Sequence, residues 1–593
     1  MTVTIQPGAT SGVEVEVQAI RQLLKQQQFA DAVTAAQALR ARVPENRDVL
    51  YLLALGLRQA RRIPEALAVL EDMERHHPGS SLLYQERGHC RVAQKDAPAA
   101  VEAYERAVKI NPALPATWGM LEGLYKMLGD DEHRNVAAVH ARKLKDMPPD
   151  VIKAMGLFCE GDLSAAERLI RAFLLEHGNQ VEAMRLLARI GVAREILDDA
   201  EILLAAALKM QPDYIELRRD YACVLLDRHK HVECLAQLDI LLKDDRRNID
   251  YRTLQATATV GLGDHESAIG GFSAVLADTP PNSDAAAVLL LSIAHSMKTL
   301  GRRADAIETY RKAIEARPNF GDAYWSLANL KTYRFSDEEI EQLRGAEADA
   351  SLASTDRYHI CFALGKAFED REDYATSWHY YARGNAMKRA ESKYRADLLE
   401  QNTALQKRTC TREFFAARQG WGAADASPIF ILGLPRAGST LLEQILASHS
   451  MVEGTQELAL VPRAALDLQG YDPDFTNPRY PGCLADLGED ECRRLGEKYL
   501  KDSAVYRTGS PYFIDKMPNN FRHIGLMQLM LPNAASGVNG CTNPAAGQLL
   551  ATTAVGALGA WTFAGVTLNV NVKPTQAYVY SPTFGGCTQT TVQ

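Results

Sequence analysis

The sequence lacks most of the features that place a protein at a glance. Its N-terminus, MTVTIQPGATSGVEVEVQ, has no basic start followed by an apolar run, so no secretory signal is read and a cytoplasmic location is expected. Neither sign of charge predominates. With 66 basic and 74 acidic side chains the net charge is −8, which offers no general attraction to nucleic acid. Among ten cysteines there is no CxxC pair and no histidine at metal-ligand spacing, a pattern that suits reduced thiols rather than a disulfide framework or zinc, so no metal site is expected. Long runs of large aliphatics are missing too: the least polar stretch, Leu549 to Val572, is rich in Gly, Ala and Thr, and no membrane span is expected.

What the sequence does have is length and a period. A chain of 593 residues exceeds one ordinary core, so two or three domains are expected. Pro44, Pro78 and Pro112 stand 34 residues apart, and the same helix-ending phase returns, with small shifts, at Pro148, Gly178, Pro212, Arg246, Pro280 and Pro318. Inside one unit Tyr84, Gly88, Ala100, Tyr104, Ala107 and Pro112 alternate bulky and small residues before a terminator, and Ala294, Ala306, Tyr310, Ala313 and Pro318 repeat the pattern. Two antiparallel helices approach only where small residues meet bulky ones, and proline cannot continue a helix past the unit, so Tyr84, Tyr104 and Tyr310 are read as core. The pattern resembles tetratricopeptide repeats over residues 13–333, about nine units. After a polar connector, FSDEEIEQLRGAEADASLASTD, a hairpin carrying Gly365, Ser377, Tyr381 and Gly384 in the same phase reads as a displaced repeat, together spanning 334–390; residues 391–426 read as a helical linker. Such arrays present a concave surface to an extended peptide or a helix, so a protein or peptide partner is expected, with a spacer or homodimerisation arm as the alternative.

At Pro428 the character changes. PIFILGL has the continuous apolar run of a strand covered on both faces, LPRAGST supplies a turn, and Ser439 and Thr440 open a helix. Gly433 and Gly438 stand as in a GxxxxGK[ST] phosphate loop, yet Ser439 occupies the lysine position, which disfavours ATP or GTP hydrolysis. A loop entering a helix N-terminus still offers backbone N–H groups and a dipole to an anion, and Arg436 adds a fork of donors; the alternative is an ordinary glycine-rich turn. GLPRAGSTLLEQIL closely resembles the loop that holds the 5′-phosphosulfate of PAPS (3′-phosphoadenosine 5′-phosphosulfate) in sulfotransferases, most of all the tyrosylprotein branch, where it reads PRSGTT. The resemblance implies that Pro435, Arg436, Ala437, Gly438, Ser439 and Thr440 cradle the donor, Arg436 neutralising charge on the moving group and Ser439 acting as a loop donor rather than a nucleophile. Repeats fused ahead of such a domain are a recognised bacterial architecture.

Two further residues follow from the resemblance. Glu457 in VEGTQELALVPR matches the catalytic carboxylate of GEETRIIPR and would be the general base, its alternative being a solvated surface carboxylate; the family's next arginine is replaced by Ala459, while Arg463 keeps the one after the proline. Lys516 in YFIDKMPNNFRH matches the NKDP segment and would meet the bridging oxygen as the phosphoadenosine leaves, its alternative being a strand-end lysine paired with Asp515. His449 and His523 read as ordinary polar residues.

After LPNA the resemblance stops. The family grips the donor's 3′-phosphate with a pattern like RxPxDxxxS, but from Ala534 to Gln593 there is no arginine, no acidic residue and one lysine, Lys573, a shift abrupt enough to suggest a chimera, a frameshift or a misassembled terminus. VTLNVNV and AYVY alternate like β-strands. The expectation is thus a multidomain chain: an all-α repeat solenoid, then an α/β P-loop-like sulfotransferase domain with a parallel sheet, incomplete, over 427–533, then a β-prone uncharged tail over 534–593. Its expected function is PAPS-dependent sulfuryl transfer to a hydroxyl of a protein or peptide, tyrosine included. A catalytically dead interaction scaffold is the alternative.

Overall fold

The computed structural model describes residues 12–392, 394–433, 438–470, 478–537, 559–563 and 566–570. The chain divides into two compact units, Met1–Ile196 with Ile202–Pro212, and Leu197–Glu201 with Asp213–Gln593. Both contain paired antiparallel helices of the kind the 34-residue period requires.

The repeated turn between paired helices has a local cause. Asp96, Asp130, Asp162, Asp264 and Asp373 each cap the second helix of a pair, a side-chain oxygen accepting from a first-turn N–H. The residue just before each cap (Lys95, Gly129, Gly161, Gly263, Glu372) has a left-handed φ between 62° and 86°, which reverses the chain in the fewest residues.

In the first unit the helices Ser81–Ala93 and Ala97–Ile110 meet where Gly88 faces Tyr104. A Cβ on Gly88 would lie 2.4 Å from Tyr104 Cε1, so only glycine lets the buried ring in. Tyr104 Oη stands 2.6 Å from His89 Nδ1, and in the second unit Tyr310 stands 3.0 Å from His295 Nδ1 with the same spacing along the chain. All three tyrosines read as core are fully or almost fully buried. Gly88→Ala is expected to destabilise the first unit by about 1–3 kcal/mol through overpacking, seen as a lower urea midpoint with unchanged m.

The later hairpin, Ser354–Glu369 with Tyr374–Glu391, uses the same device. Gly365 lies under Tyr381, and Ser377 Oγ donates to the Gly365 carbonyl at 2.8 Å. The polar connector ahead of it is itself ordered as the helix Asp337–Ala348. Ser336 and Glu339 form a reciprocal capping box at its start, and Ile340 and Leu343 are buried in the core shared with Tyr310 and Leu364.

Near the end of the second unit, four strands, β1 (Pro428–Ile431), β2 (Val452–Gly454), β3 (Tyr512–Asp515) and β4 (Ala535–Gly537), form a parallel sheet in the order β2-β3-β1-β4. Every residue of β1 is buried. Phe430 and Phe513 pack on one face with Tyr499 and Met530; Ile429, Ile431 and Ile514 pack on the other with Leu446 and Val452. A strand covered on both faces has no polar side to alternate with, hence the unbroken apolar run. Farther on, β5 (Gly559–Phe563) and β6 (Val566–Val570) pair antiparallel; β6 takes in most of the VTLNVNV run, whereas AYVY lies outside the described residues.

Candidate active site

The C-terminal ends of β1, β2 and β3 carry the residues of interest. After β1 the N–H of Gly433 donates to the Pro518 carbonyl at 3.2 Å, tying the start of the turn to the segment that follows β3. Pro435, Arg436 and Ala437 of the expected anion cradle lie outside the described residues. Gly438 has a left-handed φ of 83° with nothing within 4 Å of its missing Cβ, so backbone conformation rather than space asks for glycine. It precedes the helix Ser439–Ala447 and supplies no side-chain cap, leaving the first-turn amides and the positive end of the dipole beside a half-buried Ser439 and an exposed Thr440.

Lys516 follows β3 directly. Its Nζ donates to Glu457 Oε1 at 2.6 Å and stands 3.9 Å from Glu443 Oε2. The lysine side chain is 12% exposed, Glu443 9% and Glu457 55%. Two residues singled out from sequence, 59 positions apart, are therefore in contact, and a third that sequence reasoning missed completes the cluster. Its signal was present in LLEQIL, a glutamate set between Leu442 and Leu446 in a helix that buries an apolar side. Burial raises the Glu443 pKa; the Lys516 charge opposes that shift and the Glu457 charge adds to it.

The alternative pairing of Lys516 with Asp515 does not occur. Asp515, the last residue of β3, is fully buried and instead accepts a hydrogen bond from Tyr499 Oη at 2.9 Å. Burial pushes the Asp515 carboxyl up to about 7, and burial, with the Asp515 charge, raises the Tyr499 phenol well above its usual range.

The loop bearing Glu457 is held from both sides. Thr455 donates twice to the Ile514 carbonyl, from its N–H at 3.2 Å and its Oγ1 at 2.6 Å. Within the same unit Gln456 Nε2 donates to the Gly261 carbonyl at 3.1 Å, at the end of the repeat helix Ile249–Gly261, and Arg228 pairs with Asp467. Glu453 of β2 accepts from the Thr508 N–H at 2.6 Å; burial opposes its charge, but bonds from residues 508–510 outweigh this and hold its pKa below the usual carboxylate range. Arg463 is committed to Asp502 on the helix Glu489–Ser503. His449 Nδ1 accepts from the Met451 N–H, and His523, pulled down to about 4 by burial, stands 3.0 Å from Tyr480 Oη. Among the described residues no group of three His, Cys, Asp or Glu side chains is placed to hold a metal, and no helix is long and apolar enough to cross a membrane.

Residues 428–535 match the model of the sulfotransferase family, and residues 17–81, 53–115, 154–215 and 287–320 match tetratricopeptide repeats. The chain joins tetratricopeptide repeats to a sulfotransferase-family domain. An uncharacterized protein of Aquifex aeolicus (strain VF5) is 30% identical over 254 residues, which are 42% of this chain and 32% of that relative's length. Among solved structures, MamA MSR-1 is similar over 28% of this chain and 92% of its own, at 21% identity and a TM-score of 0.25. A human IFIT1 dimer with PPP-AAAA is similar over 64% of this chain and 92% of its own, at 16% identity and a TM-score of 0.29. In the sulfotransferase domain, then, the Lys516–Glu457–Glu443 cluster lies at the carboxyl ends of parallel strands, where open α/β sheets bind their ligands. The family supports a transferase role for this domain and the repeats an interaction role.

Proposed function

We propose that this protein transfers a sulfuryl group from PAPS to a hydroxyl of a protein or peptide, tyrosine among the acceptors, while its repeats bind the acceptor chain or a partner. The observation that carries the reading is the contact of Lys516 with Glu457 at the strand ends, beside the helix that opens at Ser439. Residues 435–440 hold the 5′ end of the donor, with Arg436 as its counter-charge. The acceptor oxygen attacks sulfur in line, and its proton passes to Glu457. The bond from sulfur to the bridging oxygen breaks, and Lys516 meets the charge that builds on that oxygen. The scheme uses no metal. The same reading assigns 13–333 to repeats, 427–533 to the transferase domain and 534–593 to a tail, in a cytoplasmic protein that forms homodimers if the repeats serve as an arm.

A second reading, a scaffold without turnover, is favoured by the absence of arginine from Ala534 to Gln593. Losing two or three charge-assisted bonds to a 3′-phosphate, at about 1.5–3 kcal/mol each, weakens donor binding by roughly two to six orders of magnitude. Calorimetry with adenosine 3′,5′-bisphosphate separates the two: binding that Arg436→Ala abolishes supports the transferase, and no heat leaves the scaffold. With labelled PAPS, Glu457→Gln is expected to lower turnover by about 10²- to 10⁴-fold.

A further inference from the structure

We infer that Glu443 is a positioning residue for Lys516, holding its ammonium in place while Glu457 turns to the acceptor hydroxyl. The part played by Glu457 rests on the transfer reading above; the part played by Glu443 rests on geometry. One ammonium lies within ion-pair reach of two carboxylates that differ in freedom. Glu457 is exposed on the loop between β2 and the helix Leu460–Gln469, whereas Glu443 is buried in the second turn of the helix Ser439–Ala447.

Glu457 Oε1 accepts from the Lys516 ammonium, so it reaches the acceptor hydroxyl only after leaving the lysine. Its departure would strip a nearly buried cation of its hydrogen-bonded counter-charge, and such a cation tends to lose its proton. A neutral amine stabilises negative charge on a bridging oxygen poorly. Glu443 supplies a counter-charge that stays. The other acidic group beside the lysine, Asp515 on β3, is engaged by Tyr499. This assignment also accounts for a glutamate in a buried position where burial alone is unfavourable. Because Glu443 rides on the helix that opens at the anion loop, it ties the lysine's place to that of the donor.

The test is acylation of the Lys516 amine in the full chain at fixed pH, read by mass spectrometry, since an amine acylates only when neutral. Lys516 in Glu457→Gln should react within a few fold of the wild-type rate, and in Glu457→Gln/Glu443→Gln about tenfold faster or more. Glu443→Asp in place of Glu443→Gln should restore much of the protection, an outcome a packing defect would not produce. With labelled donor, Glu443→Gln should lower kcat by about 10- to 100-fold and leave the donor KM unchanged. Equal acylation in the single and double variants overturns the inference. If the wild type transfers no sulfuryl group, the transfer reading fails, while acylation still decides whether Glu443 holds the lysine.

Discussion

Lys516→Ala lowers sulfuryl transfer by about 10²- to 10³-fold and leaves affinity for adenosine 3′,5′-bisphosphate within a few fold, the expected result if the ammonium acts on charge that develops only as the bridging oxygen departs. A group that bound donor and transition state equally would instead raise KM with kcat unchanged. Single-turnover rates with labelled PAPS, set beside calorimetric affinities, distinguish the two. Equal losses in rate and affinity would show that the lysine holds the site together rather than serving the reaction. The variant should still fold, because Glu443, left without its cation, has the protonated form open to it, and Glu457 faces solvent.

The second large effect concerns stability and its dependence on pH. Asp515 is fully buried under Tyr499 with a pKa pushed from 3.8 to about 7. Its folded-state pKa is raised, so the folded chain binds this proton more tightly than the unfolded one. The stabilisation is complete below about pH 4 and is lost as pH climbs through about 7, where the folded protein must hold a buried charge or let it go. Asp515→Asn keeps an oxygen for the Tyr499 hydroxyl and removes the ionisation. It is expected to stabilise the second unit at pH 8, by an amount that shrinks toward pH 5, giving a flatter profile of denaturation midpoint against pH. A variant no more stable than wild type at pH 8 would show that Asp515 stays ionised there at little cost.

Much of this protein was legible in its residues, for reasons that differ from segment to segment. The repeats declared themselves because the fit of Gly88 under Tyr104 and the aspartate cap after a left-handed residue are made within one 34-residue unit. β1 declared itself because both its faces are covered. The connector FSDEEIEQLRGAEADASLASTD was read by its polarity alone, although Ser336 and Glu339 spell a helix start, and the two apolar residues that dock the helix are few against its acidic face. Glu443 went unread because one glutamate in an amphipathic helix carries no local sign of what it faces.

Sequence by itself therefore determined the architecture: helical pairs with a fixed period, then a strand, a glycine turn and a helix, since each depends on side chains close along the chain. Only the tertiary structure decided that Lys516 meets Glu457 and Glu443 rather than its neighbour Asp515. Parallel strands are joined by long crossovers, so the residues gathered at their ends come from distant parts of the chain.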